Sequence, residues 1–154
     1  MAPAETIVCG VDDSREARLA LRAAHALAGR LGARLVVVHA PPDPAVPGVS
    51  AAPDGVRRVA AAEEEDARAL VGGLLAEIDV RDAETRVAFG STPGRALVAV
   101  ADEEAAGLVV VGARGRGALA SAVLGSVSSD VVAHAHCPVL IVPGDHGELG
   151  LLGG

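Results

Sequence analysis

Strands and helices alternate along this chain, and no other feature limits the fold as much. Five short segments read as strands, at 6–11, 34–40, 84–89, 108–112 and 138–142, and four segments with helical spacing follow or separate them. Such alternation argues for a parallel sheet. The runs LVVV (108–111) and VLIV (139–142) hardly alternate apolar with polar residues, as expected of strands covered by helices on both faces. The expected class is therefore α/β with an open parallel sheet.

The helical segments carry their own punctuation. Ser14 is a good N-cap for a first helix running to Leu31, with Ala17, Leu21, Ala24, Ala28 and Leu31 on one side and Gly32 placed to stop it. A second helix is expected over 56–78, with Ala67, Leu70, Val71, Leu74, Leu75 and Ile78 inward and the acidic run EEED (63–66) solvated. Thr92 and Pro93 open a third, which turns Ala96, Leu97, Val100 and Ala101 inward. A fourth begins near Ser126 and ends around His134.

At 154 residues the chain fits one domain, spanning 1–154 with a core of about 5–143 and a flexible, glycine-rich tail over 144–154. Phe89 is the sole aromatic residue, so the core has to be packed from Val, Ala, Leu and Ile. No apolar run is long enough to span a membrane, and MAPAETIVCG has none of the regions of a signal peptide, so a cytoplasmic protein is expected. A net charge of −7 disfavours nucleic acid as a partner. All 13 basic residues are arginine, which excludes a Walker-type phosphate lysine, a Schiff base and a kinase lysine. Cys9 and Cys137 are too few for a zinc module and read as reduced, buried thiols. The proline-rich segment 41–55 reads as an exposed loop, with a ligand lid as the functional alternative.

In an open parallel sheet, ligands bind beyond the carboxyl ends of the strands, where chain order reverses. Two segments at such ends carry suggestive chemistry. GVDDS (10–14) places Asp12 and Asp13 after the first strand. GARGRGALASAVLGSV (112–127) follows the fourth. In it Gly112, Gly115 and Gly117 permit close approach of backbone amides to an anion, and Gly125 with Ser126 opens a helix whose N-terminal N–H groups favour negative charge. Arg114 and Arg116 either grip a phosphate or face solvent. Asp12 is either a ligand contact or a turn residue. His134 and His136 point about 200° apart on a helix and do not readily share a metal ion; His134 reads as a cation at a helix C-terminus, and His39 as a packed or hydrogen-bonded histidine.

The spacing Gly112-x2-Gly115-x9-Gly125-Ser126 resembles the G-x2-G-x9-G-[ST] signature of the universal stress protein family, in its ATP-binding branch. VCGVDDS, VVVHA, VVVGARG and HCPVLIVP add to the likeness, which covers about residues 5–143. The resemblance implies a Rossmann-like, adenine nucleotide alpha hydrolase-like sheet of order 3-2-1-4-5. It also implies a nucleotide between the loops after strands one and four. Gly10, Val11 and Asp12 would flank adenine and ribose, and Ala40 would line the base pocket. Val111, Gly112 and Gly115 would approach ribose and phosphates, while Gly125, Ser126 and Val127 would hold phosphates. The implied ligand is ATP, with AMP or another adenine nucleotide as the alternative, accompanied by Mg²⁺ or Mn²⁺, for which only Asp12 or Asp13 is at hand. A homodimer through the last strand, Pro138 to Val142, is implied as well. The expected function is a nucleotide-dependent stress-response or regulatory module with at most slow ATP hydrolysis. A nucleotide-independent scaffold or chaperone-like dimer is the alternative. An adenylating enzyme is disfavoured because the SGGxDS, HIGH and KMSKS motifs are absent.

Overall fold

The computed structural model describes residues 5–42, 53–114 and 124–144, with side chains from Arg58 onward in the second stretch. Gly115, Arg116, Gly117, most of the 41–55 segment and the tail beyond Gly144 lie outside the described residues. The elements are β1 (Thr6–Gly10), α1 (Arg15–Leu31), β2 (Arg34–His39), α2 (Pro53–Ile78), β3 (Ala83–Val87), α3 (Pro93–Glu103), β4 (Leu108–Gly112), α4 (Ser126–His134) and β5 (Val139–Val142).

All four strand pairings are parallel, and the order is β3-β2-β1-β4-β5. The sheet is centred on β1, where Cys9 faces Val37 on one side and Val110 on the other. Because successive side chains of a strand point to opposite faces, the valine-rich strands supply two cores at once. Ile7, Cys9, Val37 and Val110 pack with Ala17, Leu21 and Ala24 of α1 and Val71 and Leu74 of α2. Val8, Val36, Val109 and Val111 pack on the other face with Ala96, Leu97 and Val100 of α3 and Val131 of α4. Burial of Cys9 pushes its thiol up to about 12, which keeps it protonated and unreactive.

The caps form where the sequence places them. The Ser14 hydroxyl accepts from Ala17 N–H at 3.1 Å, and Gly32 ends α1 in the left-handed region at φ 64°. Thr92 caps α3 with proline in its first turn. Several bounds differ from expectation. β1 and β2 each stop one residue sooner, at Gly10 and His39. β3 occupies 83–87 instead of 84–89, because the ladder it forms with β2 runs from Leu35–Ala83 to His39–Val87. Phe89 is left 44% exposed beyond it. β5 starts at Val139, since Pro138 has no N–H to donate to a ladder. α2 starts three residues sooner, at Pro53. Leu31, expected inward, is 45% exposed, because the last turn of α1 must leave the sheet for Gly32 and Ala33 to lead into β2.

His134 lies in the last turn of α4, at the helix C-terminus where the sequence reading put it. Its Nδ1 donates to the Asp130 carbonyl at 2.9 Å and its Nε2 accepts from Arg95 at 3.0 Å, bridging α4 to α3. His136 bonds instead to Asp102.

Below the amino ends of the strands, Glu104 accepts from Arg34 of β2 and from Arg86 of β3, while Arg86 also reaches Glu103. Glu104 is 16% exposed, and the hydrogen bonds from Arg86 and Arg34 hold its carboxyl below the usual carboxylate range. Such pairs are worth about 1 kcal/mol or less each, against about 1.5–3 kcal/mol for each buried Val or Ile side chain. The two apolar layers therefore carry the fold, and the ion pairs trim its lower edge. Since the folded-state pKa of Glu104 is depressed, its contribution is present above the unfolded carboxylate pKa and is lost as pH falls through the folded value. Glu104→Gln is expected to lower Tm near neutral pH by about 2–4 °C. That difference should shrink as pH falls from about 5 to about 3 in thermal unfolding followed by circular dichroism.

Candidate functional site

The chain order reverses beside β1. The connection from β1 leads to β2 on one side, while β4, its other neighbour, is reached through β3 and α3. Helices α1 and α4 consequently leave the carboxyl ends of β1 and β4 toward opposite faces, and a crevice opens between them. A cleft of about 420 Å³ occupies this place. Its lining includes Gly10, Val11, Asp12 and Asp13 after β1, His39 and Ala40 after β2, Val111, Gly112 and Arg114 after β4, and Ser126 and Val127 of α4. The site residues expected from sequence that fall within the described residues are thus together, apart from Gly125, which immediately precedes this turn of α4. Gly115 lies outside the described residues.

Each wall is fixed by the backbone around it. Val11 N–H donates to Val38 O at 2.8 Å, and Val11 O accepts from His39 Nδ1 at 2.7 Å, so the chain leaving β1 is held to β2 beyond the last strand residue. His39, read from sequence as packed or hydrogen-bonded, acts as this pin. The Asp12 carboxylate accepts from Ser14 N–H at 2.8 Å. The residue therefore forms a side-chain-closed turn, as one of its two sequence readings has it, and it also lines the cleft. Asp13 lies at the mouth, 52% exposed.

On the opposite wall, Gly125 N–H donates to Ala113 O at 2.7 Å, and the buried Ser128 hydroxyl donates to the same carbonyl at 2.8 Å. The two ends of the segment between β4 and α4 are therefore tied together. The N-cap of α4 is Gly125 and not Ser126, which is the first helical residue and is exposed. Gly125 supplies no side-chain cap, so the first-turn amides and the positive end of the helix dipole face the cleft without a capping hydroxyl. Arg114 is half-buried on this wall. Gly112 has a packing reason to be glycine: a Cβ there would stand 2.9 Å from Glu16 Cβ and 3.0 Å from its carbonyl group, so α1 sits directly against the end of β4.

The chemistry of the site is that of a binding cleft. Val11, Val38, Leu97 and Val111 form an apolar floor, with carboxylates on one rim and amides with a guanidinium on the other. Among the described residues, no three His, Cys, Asp or Glu side chains converge to hold a metal ion by themselves. None of the described helices is long and apolar enough to cross a membrane.

The sequence profile of the Universal stress protein family matches residues 3–143. The chain belongs to this family. It is 39% identical over 140 residues to the "Universal stress protein in QAH/OAS sulfhydrylase 3'region" of Thermus aquaticus, covering 90% of this chain and 98% of that one. Some relatives are longer, and the chain spans 46% of Universal stress protein Rv2623 of Mycobacterium tuberculosis, at 34% identity. Among solved structures, universal stress protein UspA from Lactobacillus plantarum superimposes with a TM-score of 0.73 at 26% identity, over 92% of this chain and 99% of that one. A universal stress protein in complex with cAMP aligns with a TM-score of 0.60 at 29% identity, over 91% and 97%. The protein from Archaeoglobus fulgidus in complex with dAMP aligns with a TM-score of 0.59 at 25% identity, over 91% and 98%.

Within this universal stress protein domain, the residue that sequence reasoning missed is Ser128. Its only signal was a hydroxyl on the inward face of α4, two residues after Ser126. Ser128→Ala removes a hydroxyl hydrogen shared between Ala113 O and Gly125 O, each of which keeps a backbone N–H donor. It is expected to cost about 0.5–1.5 kcal/mol in urea unfolding. Ser126→Ala, at an exposed position, should cost less than about 0.5 kcal/mol.

Proposed function

We propose that the chain is an ATP-binding universal stress protein, a nucleotide-dependent stress-response or regulatory module with at most slow ATP hydrolysis. The observation that carries this reading is the pairing, in one cleft, of an apolar floor at the topological switch point with the uncapped first turn of α4. A flat base suits the floor, and phosphates suit amides at a helix N-terminus. The cAMP and dAMP complexes of related universal stress proteins support an adenine nucleotide as the ligand class.

In this reading Gly10, Val11 and Asp12 flank the adenine and ribose, and Ala40 lines the base pocket. Val111 and Gly112, with Gly115, approach the ribose and phosphates. Gly125, Ser126 and Val127 hold phosphates, and Arg114 adds a forked donor. The donor set fits Mg²⁺ or Mn²⁺ only as a companion of the nucleotide, because Mg²⁺ is commonly held by one or two carboxylates together with substrate phosphates. Asp12 or Asp13 would supply the carboxylate. Such an ion would screen phosphate charge, while the amides of α4 orient the phosphates.

The β5 edge favours a homodimer. Val139, Leu140 and Ile141 are half-buried with β4 as their strand partner on one side, and among the described residues no strand pairs with the other edge, where an antiparallel copy of itself would fit.

Titration calorimetry with ATP and Mg²⁺ is expected to give saturable one-site binding below millimolar nucleotide; an absence of binding at millimolar ATP would overturn the proposal. Sedimentation at micromolar protein should report twice the chain mass, and a single-chain mass would remove the dimer.

A further inference from the structure

The first turn of α4 carries the phosphate end of the proposed site, yet α4 is short and thinly anchored. Of its nine residues only Ser128 and Val131 are buried. Ser128 ties the turn to Ala113 at the end of β4, which leaves the placement of the turn against α3 to other contacts. The start of α3 supplies them. The Thr92 hydroxyl accepts from Arg95 N–H at 3.2 Å as the cap of α3, and donates its own hydrogen to Asp130 Oδ2 of α4. Gly94, buried in the first turn of α3, lies very close to α4: a Cβ on it would stand 2.5 Å from Asp130 Cβ and 3.1 Å from Val127 O. The other carboxylate oxygen, Asp130 Oδ1, is 3.5 Å from Nδ1 of His134, whose Nε2 is bonded to Arg95. Asp130 follows Val127 and Ser126 by three and four positions, so the three share one side of the helix. Ser126 and Val127 line the cleft, as does Pro93 beside Thr92, whereas Asp130 stands outside it.

We infer that Asp130 is a positioning residue for the phosphates of the ligand: by accepting the Thr92 hydroxyl hydrogen it docks the first turn of α4 on the start of α3, and so sets where the α4 amides stand. The inference rests on the nucleotide reading of the cleft and deepens it, since it names what holds the phosphate-binding turn in place. A carboxylate this near the N-terminus of α4 does nothing by its charge to favour an anion at the amides. Its use is therefore as a hydrogen-bond acceptor, and the positive end of α3 beside it offsets its charge. In the nucleotide reading the base and ribose rest mainly on residues after β1 and β2, which Asp130 does not touch.

The test titrates the full chain with ATP and Mg²⁺ by calorimetry, and measures adenosine, which lacks the phosphates, by its competition with ATP. Asp130→Ala is expected to weaken ATP binding by about five- to tenfold and adenosine binding by less than about twofold. Asp130→Asn keeps an acceptor for the Thr92 hydroxyl while removing the charge, and is expected to hold ATP affinity within about twofold of the parent protein. Equal losses for ATP and adenosine in Asp130→Ala, unchanged ATP binding in that variant, or a loss in Asp130→Asn as large as in Asp130→Ala would each overturn the inference. If Asp130→Ala does not fold, Gly94→Ala tests the same contact. Alanine favours a helix more than glycine does, so its effect on ATP comes from the push against Asp130 and Val127. Gly94→Ala is expected to weaken ATP binding by about threefold or more and adenosine binding by less than about twofold; equal or absent losses overturn the inference there. Parent ATP binding that adenosine cannot displace would remove the base site and the inference with it. Failure of the parent protein to bind ATP would instead sink the nucleotide reading itself.

Discussion

The structure depends on β1 being paired on both sides. Ile7, Val8 and Cys9 have no solvent exposure, and each has a parallel partner in β2 and another in β4. Once a strand is central in a parallel sheet, its neighbours must arrive by crossovers, and each crossover brings a helix to one face. The helices that leave β1 and β4 then diverge. The crevice at their carboxyl ends is a consequence of that divergence, so the position of the cleft follows from strand order before any polar residue is considered.

What makes the crevice a chemical site is the way its rims are held. Backbone bonds continue past the strand ends, through Val11 to Val38 and Ala113 to Val142, so the loops begin from fixed points. Polar side chains then close them: His39 holds Val11, Ser14 and Asp12 close the turn into α1, and Ser128 binds the start of α4 to Ala113. These bonds are short-range and local, yet they align groups from four separate elements around one volume. The ordinary stability of the domain comes from the valine and alanine layers, and the polar bonds set the geometry at their upper edge.

Local signals survived well where one residue decides one backbone event. Ser14, Thr92 and Gly32 cap or stop helices as their chemistry demands, because each acts on amides or dihedral angles within a few residues. Signals that need a distant partner were less legible. The apolar VAF stretch suggested a strand to residue 89, but a strand lasts only as long as its ladder, and β2 ends at His39. Leu31 follows the helical spacing and still faces solvent, because spacing gives direction around a helix and not what stands beside it. Ser128 and Arg18 carry no local signal; their bonds reach Ala113 and Glu77, 15 and 59 positions away.

The sequence by itself determined the class of fold and the caps of α1 and α3, because these are properties of contiguous residues and their periodicity. Tertiary structure decided which residues share the cleft wall. It decided that Gly125 and not Ser126 caps α4, that Gly112 is required by the approach of Glu16, and that Arg18 engages Asp13. The physical reason is one of range. Caps and periodicity act over one or two turns of chain, whereas contact with a carbonyl or carboxylate on another element exists only after the sheet has brought strand ends together.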